Sequence, residues 1–264
     1  MNFSLDSWNQ AHNAGTVEQN HTTLEELGVD LKKLNTLPTN LERCAFICCN
    51  TYTKPSYSLG VGPMNDSITV ATYLKSIGFT IYFVHNPKST EFLKFFKYFI
   101  ANTKTYLVVY YTGHGGSVDD KNGDESDGKD EALVFDDAFV LDDDLATAIA
   151  TAGKPAQSKV CLFNDCCHSG SIYDLQNGMM GNVRMPENIM SLSAARDSET
   201  AKQTSIGGTD SGVFTFYFFK LLSENPNQTP ITMQGQIGQY LQRFEQNYVV
   251  TATSPALLNQ TIFN

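Results

Sequence analysis

The stretch SKVCLFNDCCHSG, residues 158–170, joins an apolar run to a turn that holds two cysteines, a histidine and an aspartate. The run has the length of a buried strand, and the serine and glycine after it are typical of a strand end. A second stretch, TYLVVYYTGHGG at residues 105–116, has the same form, because an apolar strand runs into glycines around a histidine. The sequence therefore predicts two buried strands, each followed by a loop with reactive side chains.

Outward from these stretches, strand-like apolar runs alternate with segments whose apolar residues recur at helical spacing. This alternation predicts an α/β protein with a mainly parallel central sheet. In such sheets function collects in loops beyond the carboxyl ends of strands, where both reactive loops fall. The other predicted strands are 43–52, 79–86, 188–195 and 254–264, and the predicted helices lie within 62–79, 89–103, 142–153, 212–225 and 231–246.

Composition excludes several classes of function. A net charge of −10 argues against nucleic acid or an anionic membrane as the main partner. No apolar run approaches the ~18 residues of a membrane span, and the N-terminus lacks the pattern of a secretory signal. We therefore expect a cytoplasmic protein, with nuclear access left open. Disulfides are not expected there, and Cys44, Cys48 and Cys161 lie in apolar runs typical of a core.

The whole charge imbalance lies in one acidic stretch. Residues 119–144 hold twelve acidic residues and two lysines, whereas the remaining charges cancel. Clustered carboxylates repel one another unless a cation or solvent compensates them. No EF-hand pattern fits the stretch, although calcium also binds carboxylates from separated segments. The alternative interpretation is a solvated acidic loop.

The two reactive loops together suggest nucleophilic catalysis. A cysteine attacks as its thiolate and needs a nearby base, for which His114 is the candidate. The backbone N–H groups of Gly115 and of the attacking cysteine are candidates for an oxyanion hole. The alternatives are a glycine turn around an ordinary histidine, a buried cysteine pair, and a redox or zinc role for Cys166 and Cys167. Adjacent cysteines disfavour that last role, because they form strained disulfides and poor tetrahedral sites.

The blocks YYTGHGG, DGKDEALV, VLDDDL, DCCHSGSIYDL and SAARDSETA with GVFT occur in this order, from about Arg43 to Leu222. Together they resemble the metacaspases, a family of caspase-like cysteine peptidases. The resemblance implies a caspase-like α/β fold with helices on both faces of the sheet. It also implies a Cys-His dyad that cleaves after Arg or Lys, in most members with calcium. By this resemblance Cys167 is the nucleophile, 53 residues after His114, and His168 is structural.

The resemblance also implies a pocket for a basic side chain. Caspases, which cut after Asp, have glutamine two residues before the nucleophile, where this chain has Asp165. A carboxylate there attracts a guanidinium or ammonium group and repels an acid. Asp66 matches the second pocket acid, with Pro63 where the family has cysteine, and Thr112 is predicted to form part of the floor. An N-cap of the following helix is the alternative role of Asp66.

Four aspartates match the calcium ligands of the family. One follows the DG of the acidic stretch, two precede a helix, and one lies seven residues after the nucleophile. Asp144 is an alternative ligand in a shifted register, and the remaining acids from 119 to 127 are expected to be solvated. The predicted set is Asp130, Asp142, Asp143 and Asp174.

The predicted organisation is an N-terminal arm at residues 1–40, a candidate cover for the cleft, and one peptidase domain at 41–264. The domain divides into a large-subunit-like part at 41–174, a linker at 175–188 with Arg184 as the candidate self-cleavage position, and a small-subunit-like part at 189–264. We expect a monomer acting on protein or peptide substrates. The alternative functions are an inactive, calcium-responsive binding protein and a paracaspase- or legumain-type peptidase.

Overall fold

A seven-stranded sheet forms the centre of the computed structural model, which describes residues 14–119, 129–166, 172–196 and 212–264. The strands are β1 (Val29–Asp30), β2 (Arg43–Cys49), β3 (Thr80–His85), β4 (Tyr106–Thr112), β5 (Gly115–Asp119), β6 (Lys129–Val134), β7 (Phe139–Leu141), β8 (Lys159–Asp165), β9 (Met179–Met180), β10 (Val183–Arg184), β11 (Ile189–Arg196) and β12 (Gln246–Ala252). The helices are α1 (Val17–Leu27), α2 (Gly62–Ser76), α3 (Ser89–Asn102), α4 (Asp142–Thr151), α5 (Val213–Glu224) and α6 (Pro230–Leu241).

The central sheet has the strand order β1-β3-β2-β4-β8-β11-β12. Its strands pair in parallel, except that β12 runs antiparallel to β11. The central neighbours β4 and β8 are in register from Tyr106 opposite Lys159 to Thr112 opposite Asp165. The two strands therefore end at the same level, and the loops after them leave the sheet side by side.

Helices cover both faces of this sheet. Because side chains alternate across a strand, Ile47 of β2 packs in one apolar cluster with α1, α2, α5 and α6. Phe46, the preceding residue, packs on the opposite face in a second cluster with α3 and α4. Every residue of β4 is buried, as expected for a parallel strand covered on both faces. The predicted α/β class and the helices on both faces are confirmed.

Three segments differ from the sequence predictions. Residues 14–40, predicted as part of an arm, pack as part of the domain, since α1 contacts α2 and β1 pairs with β3. The predicted last strand at 254–264 is wrong, because Pro255–Asn259 forms a 3₁₀ turn and the final strand is β12. The predicted linker at 175–188 contains the short hairpin β9–β10. That the arm covers the cleft stays a prediction.

The buried cysteines form part of the core, as predicted for Cys44, Cys48 and Cys161. Burial raises the pKa of the Cys44 and Cys161 thiols to about 12. These thiols therefore stay protonated and inert at neutral pH. None of the helices in the described part of the chain has the length and apolar content needed to cross a membrane.

Candidate active site

The candidate catalytic residues come from the loops after β4 and β8. His114 lies two residues beyond Thr112, the last residue of β4. Cys166 directly follows Asp165, the last residue of β8, and is buried. Cys167 and His168 lie outside the described residues. The parallel register of β4 and β8 thus brings His114 and Cys166 to the same edge of the sheet.

The ring of His114 is held through one nitrogen. Its Nε2 lies 2.7 Å from the backbone carbonyl oxygen of Tyr57. A carbonyl oxygen only accepts hydrogen bonds, so Nε2 carries the proton and Nδ1 keeps a lone pair. Partial burial lowers the pKa of His114, while the bond to Tyr57 opposes that shift. The imidazole is therefore neutral at pH 7, with Nδ1 able to accept a proton.

Two tyrosine hydroxyls fix the backbone at His114. Tyr52 Oη accepts the His114 N–H at 2.6 Å and donates to the Val134 carbonyl at 3.0 Å. Tyr111 Oη lies 2.8 Å from the His114 carbonyl oxygen. The Tyr52 ring also stacks on the imidazole, with centroids 4.9 Å apart. The two tyrosines therefore fix the position of the His114 backbone, and Tyr52 also fixes the plane of the imidazole ring.

Gly113 is required by this arrangement. A Cβ atom at residue 113 would lie 2.7 Å from Tyr52 Oη and 2.9 Å from Tyr111 Oη. Real Cβ atoms essentially never make such close contacts, so a larger residue would displace one of the two hydroxyls. The first glycine of the GHGG stretch therefore makes room for the hydroxyls that hold His114.

The loop that carries Tyr52 and Tyr57 is tied to its neighbours by side-chain acceptors. Asn86 Oδ1 accepts the N–H groups of Thr51 and Tyr52 at 2.8 and 3.0 Å. Asp136 Oδ2 accepts the N–H of Thr53 at 2.8 Å. These bonds stabilise the left-handed backbone of Tyr52, whose φ is 65°. The base is thus positioned by the loop between β2 and α2.

Asp165 and Asp66 form a buried acidic pair beside this edge of the sheet. Asp66 is 0% exposed and Asp165 is 3% exposed. Burial, and then the charge of Asp66, raise the pKa of Asp165 from 3.8 to about 7. Thr215, in the first turn of α5, opposes this shift by donating its N–H, at 3.1 Å, and its hydroxyl to Asp165 Oδ2. The pair thus concentrates negative charge where water is excluded.

The structure separates the two roles weighed for Asp66. The residue lies in the second turn of α2, and Val61 occupies the N-cap position. The N-cap interpretation is therefore wrong. Thr112, the third predicted pocket residue, is buried and pairs with Asp165 across β4 and β8. Pro63 stands at the start of α2, where a proline is compatible with the free N–H positions of a helix.

Two other predicted residues lie in short strands. Gly115, the candidate oxyanion donor, is the first residue of β5 and pairs with Leu133 of β6. It directly follows His114 and so leaves the same edge of the sheet. Arg184, the candidate self-cleavage position, is exposed in the hairpin β9–β10, opposite Met179.

The predicted calcium ligands come from three segments. Asp130 is buried on β6, which pairs with β7 so that Ala132 lies opposite Leu141. This antiparallel register carries Asp130 toward Asp142 and Asp143, in the first turn of α4. Asp174, after β8, accepts a hydrogen bond from Gln176 Nε2 at 2.7 Å. Three of the four carboxylates thus come from one corner of the small sheet β5–β6–β7.

The donor chemistry of this set suits calcium, since all four residues offer carboxylate oxygens. Two of them, Asp130 and Asp142, are buried, and Asp142 Oδ1 accepts the Asp143 N–H at 2.9 Å. Within the described ranges, three ligand atoms within 4.8 Å of one another occur at His21, Glu25 and Asp30, and not among these four aspartates. The four side chains would therefore have to draw together around an ion.

The residues that sequence reasoning missed are Tyr52, Tyr57 and Tyr111. Tyr57 acts through its backbone carbonyl, and every residue type has a backbone carbonyl, so the identity of residue 57 does not indicate this role. The signal that was available is the pair of tyrosines in the polar loop NTYTKPSY (50–57). This loop follows β2, whose last residue Cys49 pairs with Thr112 of β4. β2 and β4 therefore end at the same level, so the tyrosines in the loop after β2 could be expected to lie near His114.

Comparison with known proteins agrees with this geometry. Metacaspase-1 of Yarrowia lipolytica is 24% identical, over 60% of this chain and 47% of that protein. Metacaspase-1 of Lodderomyces elongisporus is 25% identical, over 62% of this chain and 51% of that protein. The chain thus spans about half the length of these curated relatives. The predicted resemblance to the metacaspases is confirmed.

The likeness extends to solved structures and to a family model. The crystal structure of the Drosophila initiator caspase Dronc superposes with a TM-score of 0.59 at 14% identity, over 85% of this chain and 90% of that one. At this identity the match shows the fold alone, and the caspase-like fold is confirmed. The family model described as caspase domain matches residues 42–254. The chain therefore belongs to the caspase domain family.

Proposed function

We propose that the chain is a cysteine endopeptidase that cleaves proteins or peptides after Arg or Lys. The proposal depends most on one observation, the register that ends β4 and β8 at Thr112 and Asp165. His114 follows one strand and Cys167 the other, each two residues beyond the paired positions. A neutral imidazole with a free Nδ1 lone pair supplies the base that a cysteine nucleophile needs.

Catalysis would begin with proton transfer from Cys167 Sγ to His114 Nδ1. The thiolate then attacks the scissile carbonyl carbon, and the N–H groups of Gly115 and Cys167 would stabilise the oxyanion. The imidazolium returns its proton to the leaving amine as the C–N bond breaks, which leaves a thioester on Cys167. Water, deprotonated by His114, hydrolyses the thioester and regenerates the thiol.

The buried acidic pair supports the preference for a basic residue. A substrate guanidinium that reaches Asp165 would replace its lost hydration with charge-assisted hydrogen bonds. Burial, and then the charge of Asp66, raise the pKa of Asp165 in the free protein, and such a cation would offset both effects. An acidic side chain in the same place would bring a further carboxylate against this pair.

Fluorogenic peptides that differ only in Arg or Asp at the cleavage position test the proposal. We expect kcat/KM to be at least about a hundredfold higher for the Arg peptide, because like charges at close range cost several kcal/mol. Cys167→Ala should abolish turnover of both, whereas Cys166→Ala, the adjacent matched control, should retain it. Turnover that survives Cys167→Ala would refute the assignment. No turnover by the parent would favour the binding-protein alternative.

We propose further that calcium supports this activity through Asp130, Asp142, Asp143 and Asp174. When bound, the ion would offset the mutual repulsion of these carboxylates. Asp174 lies seven residues after Cys167 and eight after Cys166. Holding Asp174 beside α4 would therefore order the chain that leaves the nucleophile.

Removal of calcium should lower turnover of the Arg peptide, by a factor within the ~5–150-fold range of common allosteric couplings. Asp142→Asn should remove the response to added calcium, because Asp142 is buried at the junction of β7 and α4. Asp144→Asn is the matched control, since Asp144 is exposed on the same turn and accepts the Leu141 N–H. Full activity in excess chelator would contradict the calcium proposal, and loss of the response only in Asp144→Asn would indicate the shifted register.

A further inference from the structure

A second group of metal-ligating side chains lies on the opposite edge of the sheet from β12. It consists of His21 and Glu25 on α1 and Asp30 on β1, with one ligand atom from each within 4.8 Å of the others. None of these residues belongs to the candidate active site or to the predicted calcium set. The edge strand β1 and the helix that precedes it build this group together.

Local structure explains why the three side chains meet. His21 and Glu25 are four residues apart on α1, so both lie on one face, and His21 Nδ1 is 3.7 Å from Glu25 Oε1. Asp30 is held at the edge of the sheet, because it pairs with Phe83 of β3. Its Oδ2 lies 3.3 Å from His21 Nε2, while its Oδ1 accepts the Lys32 N–H at 2.9 Å.

Burial makes this more than a surface ion pair. The Asp30 side chain is 7% exposed, and those of His21 and Glu25 are 22% and 28% exposed. The His21 ring also contacts Phe83 edge-on, with centroids 5.4 Å apart. One side of the group is therefore apolar and dry, and the other side remains open to solvent.

We propose that His21, Glu25 and Asp30 bind a zinc-class divalent transition metal. One imidazole and two carboxylates supply three ligands, and a water molecule on the open side would supply the fourth. The imidazole nitrogen favours zinc over calcium, which prefers oxygen ligands throughout. The Asp30 carboxylate is also held in position, since its Oδ1 accepts the Lys32 N–H.

The ammonium group of Lys33 would compete with the metal for Glu25. Lys33 Nζ pairs with Glu25 Oε1, and the Lys33 side chain is 64% exposed. A long exposed side chain can turn into solvent at little cost, so the metal can displace it. Without a metal, the same residues form an ion-pair network between α1 and the loop after β1. Removing Lys33 therefore distinguishes a metal site from an ion-pair network.

The site is independent of the proposed peptidase activity. It would tie α1 to β1 and so stabilise the sheet edge. His85, at the end of β3, lies close by, with its ring 5.7 Å from that of His21. His85 Nε2 lies 2.7 Å from Thr51 Oγ1, at the start of the loop that carries Tyr52 and Tyr57. The inference nevertheless requires only binding, and it stands whether or not the chain cleaves peptides.

Zinc binding should be measured on the full chain with Cys167→Ala, which removes the candidate nucleophile as a zinc ligand. Competition with a chromogenic zinc chelator gives Kd, and the rise of Tm with zinc gives a second readout. We expect one tight site that His21→Gln and Glu25→Gln each weaken at least about tenfold, the lower bound for a metal-site partner. Glu26→Gln, exposed on the same helix, is the matched control and should bind like the parent.

Lys33→Gln separates the metal from an ion-pair network. Loss of the competing ammonium should tighten zinc binding and enlarge the zinc-induced rise in Tm. The proposal is overturned if the parent binds no zinc, if zinc affinity is unchanged by both His21→Gln and Glu25→Gln, or if Lys33→Gln weakens it. Equal losses in Glu26→Gln would also overturn it, because they would indicate nonspecific binding to exposed carboxylates.

Discussion

His114→Gln is expected to lower kcat for an arginyl peptide by about 10²–10⁴-fold, the usual contribution of a positioned general base. Glutamine can still donate a hydrogen bond to the Tyr57 carbonyl but has no basic nitrogen to take the thiol proton. Steady-state hydrolysis of the Arg peptide gives kcat. The pH dependence of Cys167 alkylation gives a second readout, and the variant should alkylate more slowly at pH 7.

His21→Gln, on α1, is the matched histidine control and should retain the parent kcat under zinc-free conditions. Burial lowers the pKa of His114 from the ordinary histidine value of 6.5. In the parent, His114 should therefore remain a neutral base at pH values below 6.5. Equal kcat for parent and His114→Gln would exclude His114 as the base.

Asp165→Asn is expected to lower kcat/KM for the Arg peptide about 30-fold or more, because loss of one member of a buried charge pair costs ~2–5 kcal/mol. Asparagine has nearly the same shape, so the change removes the charge and little volume. Hydrolysis of the Arg peptide at pH 8, where the parent carboxylate is ionised, provides the measurement. Turnover of an uncharged peptide should fall much less.

The pH profile gives an independent signature of Asp165. Its pKa of about 7 means that the carboxylate loses its charge as the pH falls below neutrality. The parent kcat/KM for the Arg peptide should therefore decline below about pH 7, and this limb should disappear in Asp165→Asn. An unchanged acidic limb in the variant would assign that limb to another group.

The same shift provides a control for folding. The folded chain holds the Asp165 proton more tightly than the unfolded chain, whose carboxyl has a pKa near 3.8. The contribution of Asp165 to the free energy of unfolding is therefore complete below pH 3.8, and it is lost as the pH rises through about 7. At pH 8, Asp165→Asn should thus unfold at a temperature no lower than the parent. A loss of activity with unchanged Tm is then a pocket effect.

The parts of the site that sequence could predict are those set by regular strands. The apolar runs before Gly113 and before Cys166 fixed two buried parallel strands, and parallel strands deliver their following loops to one edge. The position of His114 relative to the sheet follows from this alone. The family resemblance then supplied the choice of Cys167 over Cys166, which the residue pattern left open.

The parts that failed depend on contacts distant in sequence. The tail from residue 254 carries strand-like residues, but β12 already occupies the edge beside β11. Residues 14–40 looked weakly patterned because α1 buries one narrow stripe, with Leu24 at its centre. His114 donates its hydrogen bond to the backbone carbonyl of Tyr57, so no pattern of side chains could predict this contact. Asp66 fits an N-cap by residue type, and only the helix start at Gly62 excludes that role.

Tyr57 offers His114 a neutral dipole in the place where a carboxylate would offer a full charge. After the thiolate has been consumed in the bond to substrate, the protonated ring is therefore left without a counter-anion from that side. A half-buried cation in this situation is a strong acid, because its hydration has been lost. Burial, opposed by the bond to Tyr57, lowers the pKa of His114, so the imidazolium should give up its proton readily to the departing amine.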